Sequence, residues 1–253
     1  MRNSPDRQRS AAAGEGCHGR PTAAVVDTGA LGHNFRELKK IVGPEVRVMA
    51  VVKADAYGHG DVEVSRALAS MGCDCLGVAM VEEGLRLRRA GIYTPVVVLG
   101  GVYPDQAREA VGHDLTPVVF DIAAARAVDA AARSAGLVRP VYVKIDTGMG
   151  RLGLLPAALT AFFEEFRTLG GLRLEGVMSH LAESEAEDKT FTLHQIEVFG
   201  ECVAGIRSMG IDPGVLSIAN SAAAVEMPAS RLDLVRPGIM LYGSYPSVRQ
   251  AGS

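Results

Sequence analysis

The feature that most constrains the fold is an alternation, repeated about eight times, between short apolar runs and stretches with helical periodicity. The apolar runs are Val46–Ala54, Cys75–Met80, Pro95–Leu99, Leu115–Phe120, Val138–Ile145, Leu172–Ser179, Val215–Ala219 and Leu232–Leu241. Strands that lack polar alternation and are each followed by a helix indicate a parallel sheet covered on both faces. About eight such units in roughly 200 residues predict an α/β fold, the parallel (β/α)8 TIM-type barrel. A doubly wound open sheet is the main alternative, but it usually has fewer units, and no GxGxxG motif opens a helix after the first strand.

No linker divides the barrel, which we assign to residues 22–244. Residues 1–21 contain several arginines and too short an apolar run for a secretory signal, so they are predicted to be a disordered leader. Residues 245–253 form a carboxyl-terminal tail.

Composition excludes several function classes. The 26 basic and 29 acidic residues give a net charge of −3, and only 5% of residues are aromatic, so nucleic acid is not an expected partner. No apolar run approaches the roughly 18–20 residues that span a bilayer. The four cysteines complete neither a disulfide framework nor a zinc site, so we expect no metal, reduced thiols and a cytoplasmic location.

Polar side chains follow five of the eight predicted strands, at the end where barrel enzymes place their chemistry. The candidates are Lys53, Tyr57, Lys144, Arg151, His180, Asn220, Ser221 and Arg236, together with the loop backbone at Gly238 and Ile239. A partly desolvated lysine at a strand end suits a Schiff base with a carbonyl compound. Loops after the seventh and eighth strands commonly bind phosphate. The set therefore suits pyridoxal phosphate, while a sugar-phosphate aldolase with a later lysine remains an alternative.

Each candidate also has an ordinary structural interpretation. Lys53 could reach solvent from a strand end, and for this residue the two interpretations are equally balanced. Arg151 lies among glycines and could be solvated. A lone histidine such as His180 is more often structural, and Ser221 could simply cap a short helix. The convergence of several strand ends favours a site more than any one residue does.

Five segments resemble the alanine racemase family, whose members are fold-type III pyridoxal phosphate enzymes with an amino-terminal barrel. These segments are AVVKADAYGHG (Ala50–Gly60), KIDTGMGRLG (Lys144–Gly153), MSHLAESE (Met178–Glu185), ANSAA (Ala219–Ala223) and VRPGIMLYG (Val235–Gly243). The first two are long and specific. The resemblance extends from about Thr22 to Ser244, in order and with plausible spacing.

The resemblance implies a racemase that interconverts L- and D-alanine through a Lys53 Schiff base and supplies D-alanine for peptidoglycan. Lys53 would hold the cofactor and act as one of two catalytic bases. Tyr57, Ser221 and the backbone of Gly238 and Ile239 would bind the cofactor phosphate, with Asn220 supporting that loop. Arg236 would contact the pyridine nitrogen through a network that includes His180. Arg151 would face the phenolic oxygen and the substrate carboxylate, and Lys144 matches a lysine that can be carbamylated.

In the family the second base is a tyrosine from a carboxyl-terminal β-domain of the partner subunit in a homodimer. The residues after the eighth strand do not resemble that domain, which predicts an alanine racemase present as its barrel alone. Two alternatives are a single-domain pyridoxal phosphate-binding protein of cofactor homeostasis and an inactive cofactor-binding fragment. If the chain is the racemase, we expect its substrate to be a small amino acid.

Overall fold

A computed structural model describes residues 24–246 of the 253-residue chain. The predicted leader, 1–21, and residues 247–253 of the predicted tail lie outside this part. The strands are β1 (Arg47–Val51), β2 (Cys75–Val78), β3 (Val96–Val98), β4 (Leu115–Val119), β5 (Arg139–Lys144), β6 (Leu172–Met178), β7 (Val215–Ser217) and β8 (Leu234–Val235).

One helix precedes β1 and the others follow the strands in the predicted order, except that α2 was not predicted. They are α1 (Thr28–Val42), α2 (Lys53–Gly58), α3 (Asp61–Ser70), α4 (Val81–Arg89), α5 (Ala107–Gly112), α6 (Ile122–Ser134), α7 (Leu159–Phe166), α8 (Thr190–Ser208) and α9 (Ser221–Glu226). Short 3-10 helices occupy Pro104–Gln106, Pro156–Ala158, Pro228–Ser230 and Ile239–Tyr242.

All neighbouring strands are parallel, in the order β7-β6-β5-β4-β3-β2-β1-β8. Backbone hydrogen bonds from Asp233 N to Leu216 O (3.2 Å) and from Arg236 N to Ala219 O (3.0 Å) join the two ends of this sheet. The sheet is therefore a nearly closed barrel, and the predicted fold class is confirmed.

Each strand contributes one residue to a cluster in the middle of the barrel. The cluster is Met49, Cys75, Val97, Val118, Tyr142, Met178, Val215 and Leu234. A larger apolar cluster lies between the strands and the surrounding helices. Side chains alternate between these two layers because successive residues of a strand point to opposite faces. This explains why the strands are apolar on both faces.

Two predicted strand ends are wrong by three or more residues, and both lie at the rim where the polar residues gather. The first strand was predicted to continue to Ala54, but it ends at Val51, and the chain then enters the tight turn of α2. The eighth was predicted to span Leu232–Leu241, but only Leu234–Val235 is strand. Pro237, two residues later, has no N–H to donate to a ladder, and a 3-10 helix follows it.

None of the helices in residues 24–246 is both long and apolar enough to cross a bilayer. Cys73 and Cys75 are buried and free, and burial raises the pKa of the Cys73 thiol to about 12.

Candidate active site

A cavity of about 440 Å³ opens at the carboxyl ends of the strands. All ten candidate residues from the sequence line it: Lys53, Tyr57, Lys144, Arg151, His180, Asn220, Ser221, Arg236, Gly238 and Ile239. Four of these residues are lysine or arginine. The only carboxylate among the described residues that line the cavity belongs to Glu185. The cavity is therefore suited to an anionic ligand, and the individual roles of its residues stay predictions.

Lys53 begins α2, which is a left-handed turn and not an ordinary helix. Ala54, Asp55, Ala56 and Tyr57 have φ angles of 52°, 55°, 52° and 55°. We call Lys53–Gly58 the lysine turn. Left-handed backbone costs roughly 1–2 kcal/mol for each residue with a Cβ, and none of these four is glycine. The turn must therefore be held in place by its surroundings.

Contacts from two other elements hold the lysine turn. The Ala54 amide donates to Glu83 Oε1 at 2.8 Å. The Tyr242 hydroxyl donates to Val51 O at 2.9 Å, and its ring lies tilted against that of Tyr57, with centroids 5.1 Å apart. These contacts fix the turn on both sides of Lys53.

The environment of Lys53 favours its neutral amine. Lys53 is half-buried, and burial followed by the positive charge of Arg151 lowers its pKa, while Glu83 acts in the opposite direction. An amine must be neutral to act as a nucleophile or base. The environment therefore increases the neutral fraction of Lys53 relative to an exposed lysine.

A second lysine, Lys144, lies at the end of β5 and is more deeply buried, at 7% exposure. Burial, reinforced by the nearby positive charges of Arg236 and Arg151, lowers the pKa of Lys144 to about 8. About a tenth of this amine is therefore neutral at pH 7, a much larger fraction than for an exposed lysine.

The loop after β5 obtains its shape from glycines. Gly148, Gly150 and Gly153 all have positive φ, at 130°, 68° and 144°. The amides of Gly148 and Gly150 donate to Asp146 Oδ1 at 2.9 and 3.1 Å. This closed loop presents Arg151 to the cavity.

Arg236, at 6% exposure, is held by the ends of two neighbouring strands. Its terminal nitrogens donate to Ser217 Oγ, Ser179 O and, at 3.3 Å, Ile218 O. His180 Nδ1 lies 3.3 Å from one of them. Burial and then the positive charge of Arg236 hold the pKa of His180 well below its usual value, so the imidazole is neutral and its Nδ1 can accept this hydrogen bond. Arg236 Nε makes no hydrogen bond to the described residues.

Three loops meet at the other side of the cavity. Asn220 caps α9 by accepting from Ala223 N at 3.2 Å, so the interpretation of Ser221 as the cap is wrong. Ser221 Oγ instead accepts from Gly238 N at 2.9 Å. A Cβ on Gly238 would lie 2.4 Å from the Tyr57 hydroxyl, so a side chain there would displace this hydroxyl. Two hydroxyls and a loop backbone thus converge.

Three supporting residues were not predicted. Glu83 and Tyr242 hold the lysine turn. Gln195 of α8 is fully buried, donates to His180 O at 3.2 Å and accepts from Ala182 N at 2.9 Å. Two of them carried a sequence signal. Glu83 lies in the first turn of a helix that follows a strand end, and Tyr242 lies in the segment Val235–Gly243 that carries the family resemblance. Gln195 lies in the middle of a helix, where nothing in the sequence marks it.

No group of three or more histidine, cysteine or acidic side chains in residues 24–246 is arranged to hold a metal ion. The nitrogen-rich donor set around the cavity is positively charged, which suits phosphate and carboxylate groups better than a cation.

Comparison with solved structures reveals the same architecture in alanine racemases. The enzyme from Clostridium difficile 630 matches with a TM-score of 0.83 and 33% identity, over 87% of this chain and 58% of that chain. The enzyme from D-cycloserine-producing Streptomyces lavendulae matches with a TM-score of 0.83 and 35% identity, over 88% of this chain and 59% of that chain.

Curated sequences agree with this result. Alanine racemase 2 of Caldanaerobacter subterraneus subsp. tengcongensis is 44% identical over 229 residues, which are 90% of this chain and 59% of that protein. Alanine racemase of Geobacter sulfurreducens is 44% identical over 231 residues, 90% of this chain and 60% of its own length. The chain thus spans about 60% of the curated relatives that it matches. The family model for the N-terminal domain of alanine racemase matches residues 26–246, and the chain belongs to the alanine racemase family.

Proposed function

We propose that the protein is a pyridoxal phosphate-dependent racemase that interconverts L- and D-alanine and supplies D-alanine for peptidoglycan. The observation that carries this proposal is the convergence of four cationic side chains on one cavity, with the reactive lysine among them. The alanine racemases that this chain resembles support alanine as the substrate.

The residues of the cavity fit the cofactor. The Lys53 amine would hold it covalently, and Tyr57, Ser221 and the backbone of Gly238 and Ile239 would bind its phosphate. The close approach of Tyr57 to Gly238 supports this assignment because a side chain at Gly238 would occupy that space. Asn220 would keep the phosphate loop in place. When bound, the cofactor would supply an electron-withdrawing ring that acidifies the substrate Cα–H.

The protein's own groups would then move the proton and orient the substrate. Lys53 Nζ would exchange the Cα proton on one face, since its lowered pKa favours the neutral amine. Arg151 would bind the substrate carboxylate and face the cofactor's phenolic oxygen. Arg236 would direct Nε–H toward the ring nitrogen, with its other nitrogens held by the strand ends and His180. A positive charge there disfavours protonation of that nitrogen.

Racemisation also requires a proton donor on the opposite face of Cα. We propose that this donor is a tyrosine of a β-domain contributed by the partner subunit, as the family resemblance implies. The functional form would then be a homodimer, and we expect it in the cytoplasm. The proposed activity belongs to that assembled enzyme.

Lys144 would carry a carbamate formed from its neutral amine and CO2, with release of one proton. The lowered pKa of Lys144 supports this step because only the neutral amine attacks CO2. The resulting anion would orient Arg151. We expect a carbamate carbon signal when the chain is incubated with 13C-bicarbonate and studied by NMR. The signal should disappear in Lys144→Arg and persist in Lys189→Arg; its persistence in Lys144→Arg would contradict the assignment.

Covalent attachment of the cofactor tests the main proposal directly. After incubation with pyridoxal phosphate and reduction with borohydride, mass spectrometry should locate the cofactor on Lys53. Lys53→Ala should lose this label and lower alanine racemisation by at least about a hundredfold in an active preparation. Lys40→Ala, which changes an exposed lysine on α1, is the matched control and should retain the label. A label distributed over surface lysines in the unmodified chain would refute the proposal.

A further inference from the structure

One buried carboxylate serves two elements at the rim of the barrel. Glu83 lies in the first turn of α4 and is 8% exposed. Its Oε2 accepts from the amides of Ala79 at 2.6 Å and Met80 at 3.3 Å. Its Oε1 accepts from the Ala54 amide at 2.8 Å. The first pair of contacts is an ordinary helix cap, whereas the last reaches a different loop.

The contact with Ala54 lies directly beside the reactive lysine. Ala54 is the first of the four left-handed residues, so the bond from its amide is made where the strained backbone begins. Left-handed residues with a Cβ persist only when their surroundings determine them. An unbonded Ala54 amide would leave this end of the turn free to relax toward ordinary backbone angles. Lys53, as the neighbouring residue, would change direction with it.

We propose that Glu83 is a positioning residue for Lys53, which ties α4 to the lysine turn and fixes the direction in which the amine enters the cavity. The inference rests on the proposed function, in which Lys53 is the reactive amine. Glu83 is not among the described residues that line the cavity, and it therefore acts through the turn and not on the ligand.

The charge of Glu83 acts on the pKa of Lys53, separately from the hydrogen bond to the Ala54 amide. Glu83 raises the pKa of Lys53, against the larger effects of burial and Arg151. Removal of the charge in Glu83→Gln should therefore lower the pKa of Lys53 further. The amide side chain still offers an oxygen to Ala54, so this variant changes the charge with little change of shape.

The test compares Glu83→Ala and Glu83→Gln with Glu82→Ala and Glu82→Gln in the full chain. Glu82 precedes Glu83 on the same helix and is exposed, and its side chain accepts from Gln106, away from the cavity. Both pairs of substitutions remove the same charge from the first turn of α4. Amide hydrogen exchange of residues 53–58 reports the turn. NMR of 13C-methylated lysines, assigned with Lys53→Arg, reports the pKa of Lys53 without any cofactor.

We expect Glu83→Ala to accelerate exchange in residues 53–58 by at least about tenfold and to weaken attachment of pyridoxal phosphate to Lys53 by a similar factor. Neither change should occur in Glu82→Ala. Faster exchange confined to residues 79–84, with residues 53–58 and the Lys53 pKa unchanged, would overturn the proposal and leave Glu83 as a helix cap.

Two further outcomes are also decisive. If Glu83→Ala does not fold, Glu83→Gln decides through hydrogen exchange of residues 53–58, which should be faster than in Glu82→Gln because a neutral amide oxygen accepts from the Ala54 amide more weakly than a carboxylate does. Unchanged exchange there would overturn the proposal. If the unmodified chain never attaches pyridoxal phosphate at Lys53, the proposed function fails. Hydrogen exchange of residues 53–58 then still decides whether Glu83 positions the turn.

Discussion

The two loops that present Lys53 and Arg151 to the cavity both contain backbone with positive φ, but they use different residue types for it. The lysine turn has four consecutive left-handed residues, Ala54 to Tyr57, and none is glycine. The loop after β5 uses Gly148, Gly150 and Gly153 at its positive-φ positions. The first loop is strained and held from outside by other elements, whereas the second is relaxed and held by its own Asp146.

This difference indicates what each loop must do. A turn that is held by Glu83 and Tyr242 has its direction set by the barrel, which suits a lysine that must meet one reacting atom. A glycine loop can approach other backbone closely, which suits an arginine that must be brought over a ligand. Replacing glycine by alanine in the loop after β5 should therefore add backbone strain, whereas replacing alanine by glycine in the lysine turn should relieve it.

The largest effect is expected at Gly153. A Cβ there would lie 2.4 Å from Asp146 N and 2.7 Å from Ile145 C, both backbone atoms that cannot move aside. Gly153→Ala should break the adjacent bridge between Ile145 and Leu154 and lower the free energy of unfolding by about 4 kcal/mol. Urea denaturation measures this change.

Gly150→Ala is the matched control for Gly153→Ala in the same loop. Gly150 also has positive φ, but a Cβ there would meet nothing within 4 Å. Its cost should be limited to the backbone preference, about 1 kcal/mol. Equal costs at the two positions would contradict the close approach seen at Gly153.

A smaller change in the free energy of unfolding is expected on substitution of Lys144, the last residue of β5, and not on substitution of exposed lysines. The pKa of Lys144 is about 8 in the folded chain, below its ordinary value of 10.5. Below about pH 8 the buried charge destabilises the fold, and as pH rises toward 10.5 the folded amine loses its proton first, so this penalty disappears. Lys144→Met should therefore stabilise the chain by up to about 3 kcal/mol at pH 7.

The pH dependence is the decisive part of this prediction. In buffer free of CO2, the stability advantage of Lys144→Met over the unmodified chain should shrink between pH 8 and pH 10 when both are unfolded with urea. Lys40→Met, which changes an exposed lysine, should give no such difference. An advantage for Lys144→Met that does not change with pH would show that Lys144 is not titrating in this range.

The sequence predicted the barrel because its evidence is repeated along the chain. Eight apolar strands and their helices each carry the same pattern, so an error of a few residues in any one of them does not change the fold. The candidate residues were predictable for a related reason. Lys53, Arg151 and Arg236 follow strand ends, and a barrel brings all such ends to one rim. Their convergence on one cavity is observed, while their chemical roles stay predictions.

The supporting contacts could not be predicted in the same way, because they depend on distances between elements far apart in the chain. The four left-handed residues Ala54 to Tyr57 include no glycine to mark them, so the first strand was extended to Ala54. Gln195 contacts His180 and Ala182 across a helix and a loop. Such contacts follow from tertiary packing, whereas local composition determines only where strands and helices begin.

The smallest expected effect gives the most direct test of strain in the lysine turn. Ala54 is exposed and left-handed, so Ala54→Gly removes the unfavourable Cβ and loses little buried surface. The relief of about 1–2 kcal/mol is partly offset by about 1 kcal/mol of greater freedom in the unfolded chain, which leaves a net gain of about 0.5 kcal/mol. Differences in urea denaturation midpoints would detect this gain.

Ala56 supplies the matched comparison for Ala54, because it has the same backbone angles but is fully buried. Ala56→Gly should gain the same relief from strain and lose a packed methyl group worth about 0.8 kcal/mol, so its net effect should be zero or slightly destabilising. A higher free energy of unfolding for Ala54→Gly than for Ala56→Gly would therefore separate the effect of backbone strain from that of packing. If Ala54→Gly instead destabilises the chain by about 0.5–1 kcal/mol, as glycine does in an ordinary right-handed helix, the four residues after Lys53 are not left-handed in solution.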